Sequence, residues 1–66
     1  MRIDTIKIKL LMAELGINQT ELAERCGITR QNISNMLGRG TCSIKKVGQL
    51  AKALGVPAAE IVKEEN

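Results

Sequence analysis

The sequence predicts an all-α fold, a compact bundle of about five short helices, on the strength of three observations. First, the chain has 66 residues, of which 44% are apolar and none is aromatic. A chain this small buries only about 60% of the surface it would expose unfolded. Its core must therefore be assembled from Leu, Ile, Val, Met and Ala on short helices, with no room for a large ligand cavity. Second, Gly16, Gly27, Gly38, Gly40 and Gly55 fall where stretches of helical periodicity stop. Third, a residue able to cap a helix stands ahead of each of the first four stretches, and no alternating strand pattern, repeat or linker interrupts them. Residues 1–66 are expected to form a single domain.

In the first helix Asp4 or Thr5 can cap, and Ile8, Leu11, Met12 and Leu15 follow the spacing of one buried stripe. Asn18 opens the second, with Glu21 three residues on completing a capping box and Leu22, Ala23 and Cys26 facing inward. Thr29 can cap the third, whose Ile33, Met36 and Leu37 share a face. Ser43 can cap the fourth, where Ile44, Val47, Leu50, Ala51 and Leu54 turn inward and Gly48 is expected to allow a neighbouring helix to approach. Pro57 suits the first turn of a fifth helix, with Ile61 and Val62 returning to the core before the charged end, Lys63 to Asn66, frays.

Composition removes several function classes. There is no His, no Gly-rich loop of the phosphate-cradling kind and no pair of carboxylates set in a cleft, so an enzyme is not expected. Cys26 and Cys42 are far apart, form no CxxC pair and have no His to join, which excludes a zinc site; a disulfide between them is the alternative to two reduced thiols, which a cytoplasmic chain leads one to expect. No metal and no cofactor is expected. Proteins that grip single-stranded nucleic acid stack bases on aromatic rings, and this chain has none. The longest apolar run falls short of the roughly 18 residues a bilayer span needs, and no signal-peptide pattern opens the chain, so a cytoplasmic protein, complete as written, is expected. The net charge of +3 suits a phosphate-bearing partner but is common on ordinary soluble proteins.

The third helix is more informative. With Ile33, Met36 and Leu37 turned inward, Arg30, Gln31, Ser34 and Asn35 lie on or beside the opposite face, which carries no negative charge. The major groove of duplex DNA, about 12 Å wide, admits one helix and offers each base pair's own pattern of donors and acceptors. Small Ala23 permits two helices to pack closely, and Gly27 permits the tight turn that sets them at an angle.

The stretch from Asn18 to Leu37 resembles the Cro/repressor, or XRE, helix-turn-helix family. The resemblance rests on Gln19, Leu22-Ala23, Gly27, Ile33 and the later Leu50-Ala51-Lys52-Ala53-Leu54-Gly55-Val56, and so covers nearly the whole chain. It implies a lambda-repressor-like fold and a bacterial or phage transcriptional regulator, a repressor in the first instance, that binds double-stranded DNA sequence-specifically. It further implies that Arg30, Gln31, Asn32, Ser34 and Asn35 meet bases. Gln19, Thr29, Arg39, Thr41, Lys45 and Lys46 are expected at phosphates, with Gln19 also bracing Gln31. Lys7 and Lys9 are read as solubilising charges.

Many members of the family carry a semi-buried Arg–Glu pair at the positions of Met12 and Leu37; both are apolar here, and the two are expected to touch. A homodimer on an imperfect palindrome is expected, its contact built from Val56, Pro57, Ile61 and Val62 unless those residues close the monomer's own core. No small-molecule ligand is evident. The competing reading keeps the fold and makes it a protein-interaction adapter or antitoxin-like module.

Overall fold

A computed structural model describes residues 1–63. Four α-helices run in order: α1, Thr5–Leu15; α2, Gln19–Cys26; α3, Arg30–Arg39; and α4, Ile44–Leu54. A single 3-10 turn, Ala58–Glu60, follows. The expected Lys63 to Asn66 terminus lies, apart from Lys63, outside the described residues.

Local chemistry defines each helix end. Asp4 caps α1 by accepting from the Lys7 N–H, so the cap is Asp4 rather than Thr5. Asn18 and Glu21 form the reciprocal capping box at α2: Asn18 Oδ1 accepts from Glu21 N at 2.8 Å and Glu21 Oε1 from Asn18 N at 3.1 Å. Thr29 and Ser43 cap α3 and α4 in the same manner. At the other ends Gly16, Gly27, Gly40 and Gly55 all adopt left-handed backbone, with φ of 68 to 72°. An added side chain would be strained there.

The helices close on one dry core. Ile8 and Met12 of α1, Leu22, Ala23 and Cys26 of α2, Ile33, Met36 and Leu37 of α3, and Val47, Leu50, Ala51 and Leu54 of α4 are buried together. Met12 and Leu37 thus belong to one cluster, and no polar or charged side chain is buried among the described residues. The helix α2 packs against both α3 and α4.

Six expectations change. The fifth helix is only a 3-10 turn; Pro57 stands ahead of it as an extended residue, and Ile61 is fully buried behind it. Gly38 lies inside the last turn of α3 and not at its end, because the left-handed residue that stops the helix is Gly40. The buried stripes are shorter than periodicity implies. Leu15 and Ile44, at the end of α1 and the start of α4, are exposed, since periodicity gives a stripe's direction but not how far a neighbour extends along it. Gly48 has ordinary helical backbone, and nothing lies within 4 Å of where its Cβ would be, so it accommodates no neighbour. Ile6 and Leu10, one turn apart on α1, are 72% and 59% exposed, an outward apolar pair the inward stripe did not foretell.

The sixth change is an extended segment where no strand signal was read. Residues before α1 pair with the chain on both sides, as the antiparallel bridges Arg2 to Thr41 and Ile3 to Val62. Ile3 N donates to Gly40 O at 2.9 Å and Cys42 N to Met1 O at 3.0 Å; on the other edge Asp4 N donates to Ile61 O at 2.8 Å and Lys63 N to Arg2 O at 3.0 Å. Ile3, 3% exposed, is thereby driven into the core. The start of the chain is laced between the loop that follows α3 and the segment that follows the 3-10 turn.

Candidate nucleic-acid interface

The outward face of α3 follows from its buried one. At 100° per residue, the direction opposite Ile33, Met36 and Leu37 is occupied by Gln31, Asn35 and Gly38, with Ser34, Asn32 and Arg39 to either side. Arg30, Gln31 and Asn32 are exposed, whereas Ser34 and Asn35 are half-buried. Gln31 Nε2 donates to Asn35 Oδ1 at 3.0 Å, which ties the two central amides into one unit. No hydrogen bond joins Gln31 to Gln19 among the described residues, so the expected brace is supplied by Asn35 instead. Gly38 has no Cβ on this face and open space before it, which lowers the surface beside Asn35.

Around this face lie groups suited to phosphate. Gln19 is the first residue of α2, where helix N–H groups still lack partners. Thr29 Oγ1 accepts from Asn32 N at 3.1 Å, which leaves its hydroxyl proton free to donate outward. Lys45 and Lys46 stand in the first turn of α4, behind Ser43. A cleft of about 200 Å³ between α3 and α4 gathers Asn32, Asn35, Arg39, Thr41, Ser43 and Lys46. Of the residues expected at the site, this cleft brings five together; Arg30 and Gln31 lie along the exposed side of α3, with Gln19 and Thr29 at helix N-termini.

A further signal lies in the charge order. Between Glu24 and Glu60 there is no acidic residue, while Arg25, Arg30, Arg39, Lys45, Lys46 and Lys52 all fall there. The acids fall at Glu24 or before it and from Glu60 onward, so a modest net charge conceals a strongly basic middle. That segregation is readable from sequence once charge is followed along the chain rather than summed.

Three other polar features lie apart from this face. Lys7 and Glu60 form an ion pair at 2.6 Å, and the carboxylate raises the Lys7 pKa by hydrogen bonding and by charge. Lys7 is therefore a surface tie between α1 and the 3-10 turn as well as a solubilising charge. A larger cleft, about 510 Å³, lies between α2 and α4 on Arg25, Cys26, Gln49, Lys52 and Ala53; Gln49 Oε1 is buried without a hydrogen-bond partner, and no α3 residue takes part. Both cysteines are free thiols, pushed upward in pKa by burial and so poor in thiolate. Among the described residues no cluster of His, Cys, Asp or Glu is arranged to hold a metal, and no helix is long and apolar enough to cross a membrane.

A family model described as helix-turn-helix matches residues 8–61, from the first buried residue of α1 to Ile61. Over 43 residues, 64% of the chain, the sequence is 49% identical to a protein of Methanothermobacter thermautotrophicus described as an uncharacterized HTH-type transcriptional regulator. The matched segment covers 62% of that relative, so the chain spans less than two thirds of its length. No solved structure matches the chain.

Proposed function

Because the chain belongs to the helix-turn-helix family of the Cro/C1 type, a non-enzymatic family of DNA-binding domains, we propose that it is a transcriptional regulator that reads duplex DNA through the outward face of α3. The observation that carries this reading is the tied amide pair Gln31 and Asn35 on an acid-free face, with cations and helix N-termini on its flanks. An amide can offer adenine an acceptor for N6–H and a donor for N7 at once. After their mutual bond, Gln31 keeps its Oε1 and one N–H, and Asn35 keeps both Nδ2 protons, so each retains groups for a base edge.

Arg30, Asn32 and Ser34 complete the base-reading set, Arg30 suiting guanine O6 and N7. Gln19, Thr29, Arg39, Thr41, Lys45 and Lys46 hold the two phosphate strands and position α3 without reading sequence. Repression is the favoured mode, since occupying an operator requires nothing beyond tight binding, and the expected compartment is the cytoplasm. Two copies related by a two-fold axis would place their α3 helices about 34 Å apart in successive major grooves on an imperfect palindrome. The segment expected to join them is largely taken up within the monomer: Ile61 is fully buried and Val56 and Val62 are half-buried, which leaves Pro57 exposed. The contact between copies is accordingly small and completed on DNA, where shared binding adds the missing free energy.

Selection from a random duplex library at two salt concentrations tests the reading. It requires an enriched sequence and an affinity that falls steeply with salt. Sedimentation of the complex then gives its stoichiometry, and one protein on an asymmetric site would eliminate the dimer. The alternative, a protein-interaction module, is favoured by a single feature, the exposed Ile6 and Leu10 pair, and predicts no enriched duplex at all.

A further inference from the structure

Arg2 is separated from the loop after α3 by nearly forty residues of chain, yet the fold sets it directly opposite Thr41. The two form the narrow kind of antiparallel pair: the hydrogen bonds lie on either side of them, Ile3 N to Gly40 O and Cys42 N to Met1 O. In such a pair the Cα atoms are about 4.5 Å apart and both side chains leave on the same face. Ile3 points into the core, so its neighbour Arg2 points out. Its cross-strand partner Thr41 is one of the residues lining the cleft with Asn35, Arg39 and Lys46. Arg2 O accepts from Lys63 N on the far edge, so the Arg2 backbone is held from both sides. Arg2 is exposed and makes no ion pair with any described residue.

We propose that Arg2 is a DNA phosphate-binding residue, carried to the edge of the α3–α4 cleft by this strand pairing. The inference rests on the reading of α3 given above. A guanidinium offers two parallel donors to one phosphate group, and a backbone already held on both edges loses little entropy when the contact forms. Its place beside the loop, beyond the end of α3, suits a contact with the sugar-phosphate strand rather than with base edges. It also gives the pairing of the chain's first residues a role in binding, because the same backbone bonds hold Thr41 in place.

The test is fluorescence anisotropy of the full chain on a selected duplex and on a scrambled one, over a range of salt. For Arg2→Gln the expected result is a several-fold loss of affinity on both duplexes alike. The salt slope should fall by about 0.9, the value for one phosphate contact on B-form DNA. Arg2→Lys, which keeps the charge, should retain the slope, and Lys9→Gln on α1 should leave it unaltered, which separates a local contact from net charge. Unfolding midpoints should match the parent, since the pairing is made by backbone. An Arg2→Gln protein that binds with the parent's affinity and slope overturns this inference alone, whereas a parent that selects no duplex removes the reading of the site and this inference with it.

Discussion

Gln31 and Asn35 are bonded side chain to side chain across one turn of α3, Nε2 to Oδ1 at 3.0 Å, so each fixes the rotamer of the other. Under the proposed function, two amides that orient one another would meet the bases as one group. Gln31→Ala should therefore cost roughly 1 to 3 kcal/mol on the selected sequence and almost nothing on a scrambled one. Adding Asn35→Ala should cost less than the sum of the singles, because the first change has already released the second side chain. Lys46→Ala should weaken both duplexes equally. Competition anisotropy measures all three, and a Gln31→Ala protein with its sequence preference intact would mean that another face of the molecule reads DNA.

Met12 and Leu37 are both buried in one core with no buried charge among the described residues. Leu37→Glu alone should destabilise by roughly 3 to 5 kcal/mol, since it buries an unpaired carboxylate. Met12→Arg with Leu37→Glu should recover much of that loss. Urea denaturation of the four proteins gives the coupling energy, and a value near zero would show that the two side chains do not meet.

Gly48 and Gly40 should respond oppositely to the same change. Gly48 is an exposed residue inside α4 with open space around its Cβ direction, so Gly48→Ala should stabilise by about 1 kcal/mol through helix propensity. Gly40 has φ of 72°, and Gly40→Ala should destabilise by about 1 kcal/mol. Thermal unfolding of each variant is sufficient. A destabilised Gly48→Ala would reveal a close neighbour that the fold does not show.

Ile3 anchors the paired segment by burying its side chain. Ile3→Ala should cost about 2 to 5 kcal/mol and should also free the loop after α3. The sensitive reporter is amide exchange at Cys42, whose N–H is held by Met1 O. Destabilisation without faster exchange at Cys42 would mean that the loop is ordered by something other than this pairing.

Burial raises the pKa of both Cys26 and Cys42, so at any given pH each carries less thiolate than a free cysteine. Alkylation by iodoacetamide should be slow at neutral pH, with its midpoint displaced upward from that of a small thiol. Rapid labelling of the native protein at neutral pH would contradict this.

The sequence by itself determined the helix starts and the outward face of α3. Asn18 and Glu21, Thr29 and Asn32, or Ser43 and Lys46 meet within one turn, so the bonds that start a helix need only a few neighbouring residues. The outward direction of Gln31 and Asn35 likewise follows from the inward direction of Ile33, Met36 and Leu37 on a helix of fixed pitch. The tertiary structure decided whatever depends on a partner distant in the chain. It chose that Ile3 would be buried while Ile6, Leu10 and Ile44 stayed exposed, that the last apolar segment would close the core as a 3-10 turn, and that Arg2 would stand beside Thr41. A side chain's hydrophobicity states what its burial is worth but not which surface is there to cover it, and a strand of two or three residues carries too little period to announce its pairing partner.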